Sequence, residues 1–192
     1  MITSMALDLA SLFAQGFEYE PFLDRYATPP QREKWNAMHR DIELTPDQLQ
    51  RLSSFTREMK VFVLAGAWCG DCVNQCPIFD HFAAASPKIR IRYFDRDDCQ
   101  VLSAELQTCG AARVPSVLFV SEDDFVCGRY GDRTLSRYRE MAQSQLGPTC
   151  ATGIPSRDRT ALGVVVQEWL DEFERIQWML RLSGRLRTKH GD

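Results

Sequence analysis

Hydrophobic positions along this chain change their spacing where residue 59 begins and again beyond residue 160. Through the first 58 residues they recur at intervals of three and four, in segments 5–15, 17–26, 30–41 and 46–57, with no convincing strand. Thr28-Pro29-Pro30 marks a turn. At Leu44-Thr45-Pro46, Thr45 can cap a helix and Pro46 can take its first position, where a missing N–H is harmless. The pattern predicts a helical extension over residues 1–58.

From residue 59 the rhythm differs. MKVFVLAGA (59–67) is a short apolar run suited to a buried strand, CVNQCPIFDHFAAAS (72–86) reads as a helix, and KIRIRYFD (88–95) alternates like a strand. DDCQVLSAELQ (97–107) returns to helical spacing. VPSVLFV (114–120) and FVCGRYG (125–131) flank the polar turn Ser121-Glu122-Asp123-Asp124 and predict an antiparallel hairpin, before a helix over 133–146. The order βαβαββα predicts one α/β domain over residues 59–146, a mixed sheet with helices on its faces.

Residues 147–157, GPTCATGIPSR, read as a loop. Beyond it Leu162, Val166, Trp169, Phe173, Ile176 and Leu180 form one apolar helical stripe. Residues 147–192 are therefore expected to be a loop and an amphipathic helix, packed on the domain or forming a homodimer.

Composition narrows the function. Apolar residues make up 44% and charged residues 26%, ordinary globular usage, and a net charge of −3 gives no global attraction to nucleic acid or anionic lipid. No uncharged run approaches the roughly 20 residues a bilayer span needs. The opening MITSMALDLASLFAQGF has no Lys or Arg, carries Asp8 and lacks a clear cleavage site, so it makes a poor signal peptide. A cytoplasmic protein with neither nucleic-acid nor membrane partners is expected. In a reducing compartment most of the seven cysteines would be free thiols, and a cluster of them suggests catalysis or metal rather than stapling.

Three cysteines, at 69, 72 and 76, fall within eight positions, directly after an apolar run. Cys69 and Cys72 form a CxxC pair at a strand-to-helix junction. Free N–H groups and the positive end of a helix dipole lower a cysteine pKa there, which makes Cys69 the expected attacking thiol. Cys72, in the first turn, is placed to resolve the mixed disulfide, and Gly70 permits close approach.

Trp68-Cys69-Gly70-Asp71-Cys72 resembles the WCxxC active site of the thioredoxin-like superfamily, and Pro77 stands where thioredoxins carry the proline of the active-site helix. Gly110-Ala111-Ala112-Arg113-Val114-Pro115-Ser116-Val117-Leu118-Phe119 resembles the segment bearing that superfamily's cis-proline, and Gly131 fits the same pattern. The resemblance covers residues 59–146. With its helical N-terminus, AWCGDC further resembles a bacterial group of thioredoxin-like proteins. The resemblance implies a thioredoxin-like fold with Pro115 facing the cysteine pair, Val114 offering backbone hydrogen bonds to substrate, and Trp68 shaping the surface. It implies no organic cofactor beyond the Cys69–Cys72 disulfide. The partners it implies are a disulfide-containing protein or small molecule and, as electron donor, a reductase or low-molecular-weight thiol.

Two positions depart from the pattern. Val63 occupies the place of the buried carboxylate that helps thioredoxins move protons, and Asp71 replaces the usual Pro between the cysteines. The Asp71 charge is expected to raise the thiol pKa and favour a reducing pair.

Other candidates are weaker. Cys76 suits a regulatory disulfide, a metal site or a small core position; the last is favoured because a fourth metal ligand is missing and Gly66 stands where a cluster cysteine would be needed. Cys99, Cys109 and Cys127 have no motif, and Cys150 falls in the predicted loop. His39, His81 and His190 are isolated in sequence and read as surface or packing residues. Asp95, Asp97 and Asp98 suggest a strand end with a helix cap, and the basic residues after Arg181 suit a helix C-terminus. The leading function is thiol–disulfide exchange through Cys69 and Cys72, with no metal. The alternative is a redox-sensing or non-catalytic adaptor, and a thiol peroxidase lacks its sequence pattern.

Overall fold

The computed structural model describes residues 7–146 and 161–192. Four helices, α1 (Leu9–Gln15), α2 (Tyr19–Tyr26), α3 (Pro29–Asp41) and α4 (Pro46–Ser53), precede β1 (Met59–Ala65). The central part runs α5 (Gly70–Ala85), β2 (Ile89–Asp95), α6 (Gln100–Glu105), β3 (Ser116–Ser121), β4 (Val126–Gly131) and α7 (Leu135–Leu146). The chain closes with α8 (Ala161–Leu182) and α9 (Gly184–His190). The predicted order βαβαββα is the observed one. α9 had no signal of its own in the hydrophobic pattern, and the predicted 147–157 loop, with Cys150, lies outside the described residues.

The strands lie in the order β2-β1-β3-β4, with β1 parallel to β2 and antiparallel to β3, and β3 antiparallel to β4. All residues of β1 except Lys60 are buried, as a central strand covered on both faces requires. Strand and helix ends move by a few residues from their expected limits. β3 starts at Ser116, directly after the cis Val114-Pro115 peptide, and α5 starts at Gly70 with Cys69 as its N-cap.

The extension is part of the core. Phe17 and Tyr93 exchange backbone hydrogen bonds of 2.9 and 2.7 Å, capping the outer edge of β2. The rings of Phe22 and Tyr19 pack on Tyr93 and Trp35, and Phe22 and Trp35 are fully buried. Each such aromatic contributes roughly 1.5–3 kcal/mol on burial.

Toward the β4 edge of the sheet, the α8 stripe is covered within the chain. Phe173 packs edge-on against Phe82 and Phe119, and Trp169 against Phe79 and Tyr130. A homodimer through this helix is left with outward residues such as Trp178 and Leu182. Buried Gln177 adds a polar anchor: its Oε1 accepts from the amides of Thr56 and Arg57, and its Nε2 donates to the Arg57 carbonyl at 2.9 Å. Among the described residues no helix is long and apolar enough to cross a membrane. The basic end is held by acids of the β3–β4 turn, Arg185 by Asp123 at 2.7 Å and Lys189 by Glu122 at 2.7 Å.

Candidate active site

The site forms where β1 hands over to α5. At Gly66 a Cβ would lie 2.7 Å from the Trp68 indole, so a larger residue there displaces that half-exposed ring. The Cys69 amide donates to the Gly66 carbonyl at 3.0 Å, folding the loop so that Cys69 stands at the head of α5 and Cys72 in its first turn. Cys69 is half-buried and Cys72 fully buried. The Gly66 N–H points at Cys72 Sγ at 3.5 Å.

The cis Val114-Pro115 peptide lies beside the cysteines. The Cys69 thiol donates to the Val114 carbonyl at 3.5 Å, so the Val114-Pro115 segment faces the Cys69 sulfur. Gly131 backs the segment: its φ is +128°, and a Cβ there would stand 2.4 Å from the Pro115 carbonyl oxygen. Trp68 is half-exposed beside the pair, with the Arg96 guanidinium 4.5 Å from its ring centroid. Gly70 has open space around its Cα.

Asp71 is placed differently from what a bare negative charge implies. Arg133 holds its carboxylate at 2.5 Å, and the same guanidinium reaches the buried carboxylate of Asp132 at 2.7 Å. Burial opposes the Arg133 cation, but the hydrogen bond and charge of Asp71, with Asp132, outweigh it and leave its pKa above the usual arginine value. The expected rise of the thiol pKa from Asp71 is therefore corrected. Its charge is compensated, and its backbone N–H helps an anion at Cys69.

The Cys69 thiol pKa is nevertheless raised, by groups other than Asp71, and the lowering expected from the helix terminus does not prevail. The hydrogen bond that the Cys69 thiol gives to the Cys72 sulfur is the largest cause, followed by burial and the charge on Cys72; together they outweigh the amides of Cys72 and Asp71. Burial raises Cys72, with Cys76 adding to it, while Cys69 and the Gly66 N–H pull the other way. Two sulfurs this close cannot both be anions, so the pair gives up one proton and holds the second. Cys69 is the more exposed of the two residues.

One buried residue without a sequence signal ties this site to α8. Gln75 Nε2 donates to the carbonyls of Asp71 at 3.2 Å and Asp132 at 3.1 Å, while its Oε1 accepts from Trp169 Nε1 at 2.9 Å. Tyr138 hydrogen-bonds Asp132 from α7. Val63 is fully buried beside Tyr93 and Val117 in the sheet and supplies no proton-carrying group.

The remaining candidates lie elsewhere. Cys76 is fully buried, the core position its spacing favoured. His39 and His81 come together, with ring centroids 4.2 Å apart and His39 paired to Asp80 at 2.9 Å, a meeting that their isolation in sequence concealed. Asp95 accepts the amides of Asp97 and Asp98 and so shapes the turn into α6. Among the described residues no group of three or more His, Cys, Asp or Glu is arranged to hold a metal.

A mixed four-stranded sheet with a cysteine pair at a strand-to-helix junction, opposite a cis-proline, defines a thioredoxin-like protein. The chain belongs to the thioredoxin family, whose sequence profile matches residues 16–145. The match begins well before β1 and takes in α2 and α3, wider than the 59–146 span of the sequence resemblance. A crystal structure of a protein of unknown function from Pseudomonas aeruginosa is similar at 17% identity and a TM-score of 0.60, covering 89% of this chain and 93% of that one. An HIV epitope-scaffold is similar at 16% identity and 0.59, covering 95% and 98%. Both are likenesses of fold. No curated protein matches the chain.

Proposed function

We propose that this chain is a thiol–disulfide oxidoreductase working through Cys69 and Cys72. The observation that carries it is the pairing of a half-buried Cys69 at the head of α5 with the Val114-Pro115 segment, which leaves one sulfur accessible beside backbone able to bind an extended substrate. Cys69, as thiolate, attacks a substrate disulfide and releases one substrate thiolate. Cys72 then attacks the Cys69 sulfur, forming the Cys69–Cys72 disulfide and releasing the second thiolate, so the substrate gains the two electrons the dithiol loses. A reductase or low-molecular-weight thiol restores the dithiol, and no organic cofactor enters the cycle. Such a cycle suits the cytoplasm, where thiols are kept reduced.

The raised Cys69 thiol pKa favours a reducing pair, since strongly oxidising pairs stabilise their thiolate. It also supports a second reading, a slow redox sensor or adaptor. Dithiothreitol-driven insulin reduction separates the two: turnover that disappears in Cys69→Ser supports the oxidoreductase, and equal rates in the two proteins support the adaptor.

A further inference from the structure

The extension reaches the cysteine loop directly. Trp35 of α3 is fully buried, and its indole N–H donates to the Ala67 carbonyl at 2.9 Å. Ala67, itself buried, lies between Gly66, whose N–H faces Cys72 Sγ, and the Trp68-Cys69 step. The same helix is pinned to the far side of the site. His39 pairs with Asp80, and the His39 carbonyl lies 3.0 Å from His81 Nε2, both partners being on α5. α3 thus holds the loop before the cysteines and the helix after them.

We propose that Trp35 is a positioning residue for the dithiol: by fixing the Ala67 peptide it keeps the Gly66 N–H aimed at the resolving sulfur of Cys72. Without the indole N–H, the Ala67 carbonyl is left buried and short of its donor, and the loop must shift to find another. The shift moves the Gly66 N–H away from Cys72. Burial disfavours the Cys72 thiolate, and that N–H is one of the few groups opposing it. Loss of Trp35 therefore weakens resolution more than first attack, which belongs to Cys69. The role rests on the dithiol chemistry proposed above.

Ellman's reagent, an aromatic disulfide, tests it. Cys69 attacks and releases one thionitrobenzoate, leaving a mixed disulfide; Cys72 displaces the second and closes the protein disulfide, with two thiol protons lost to solvent. Acid-quenched samples read by peptide mass follow the Cys69 peptide separately from those of Cys99, Cys109 and Cys127. Trp35→Phe, which keeps a ring and removes the N–H, is expected to slow the second step about fivefold, the scale of one hydrogen bond, and to leave the first unchanged. Phe22→Leu, in the same aromatic cluster but without a polar atom, is expected to leave both steps unchanged; Trp35→Tyr replaces Trp35→Phe if the latter does not fold. A second step unaltered by loss of the indole N–H, or slowed equally by Phe22→Leu, overturns the role of Trp35. A native protein that never closes the disulfide contradicts the dithiol function itself, and the role of Trp35 falls with it.

Discussion

The Arg133 guanidinium holds the Asp71 carboxylate at 2.5 Å, with less than a fifth of either side chain exposed. A negative charge between two redox cysteines would disfavour a thiolate at either one. Here the arginine cancels it from 62 residues away.

Arg133→Gln uncovers that charge. Alkylation of Cys69 by iodoacetamide at pH 8 is expected to slow about tenfold, an interaction of ~1.4 kcal/mol, and the double variant Asp71→Asn, Arg133→Gln is expected to recover the native rate. Peptide mass spectrometry reads the rate at Cys69 alone.

The pH dependence follows from the raised Cys69 thiol. Since Cys72 and burial push its pKa above the ordinary cysteine value, less thiolate is present at pH 7 than in a free cysteine. Alkylation of Cys69 is expected to keep rising through pH 9 without a plateau, where a thiol activated by the helix terminus would level off below pH 7.5.

Gly131 is fixed by geometry. Gly131→Ala places a methyl group 2.4 Å from the Pro115 carbonyl oxygen at a positive φ, which L side chains rarely adopt. A loss of about 2–3 kcal/mol in urea unfolding is expected, together with reduced disulfide-exchange turnover because Pro115 must move.

Trp169→Phe tests the link between α8 and the site. It leaves buried Gln75 without the indole donor at its Oε1, and a loss of about 1–3 kcal/mol is expected in the same unfolding measurement. Gln75→Leu in the same background is expected to add less than it does alone, because the two side chains share one network.

What the sequence revealed was local. The apolar run before Cys69, the two-residue spacing to Cys72 and the alternation in 88–95 each lie within one element, and all three appear where expected. The hydrogen bonds that shape the site were not legible, because they join residues far apart in the chain: Trp35 to Ala67, Arg133 to Asp71, Trp169 to Gln75. No periodicity encodes such pairs. The causes of the raised thiol pKa are illegible for a related reason, since a helix N-terminus can be read from sequence but burial and the approach of a second sulfur cannot.

The most direct test is equilibration of the protein with dithiothreitol redox buffers, followed by peptide mass analysis of the Cys69–Cys72 segment. A reversible disulfide between these two cysteines, with a potential below about −200 mV, is the result expected of a reducing pair. A pair that never closes, or one with a potential near about −120 mV as in strong oxidants, contradicts the account.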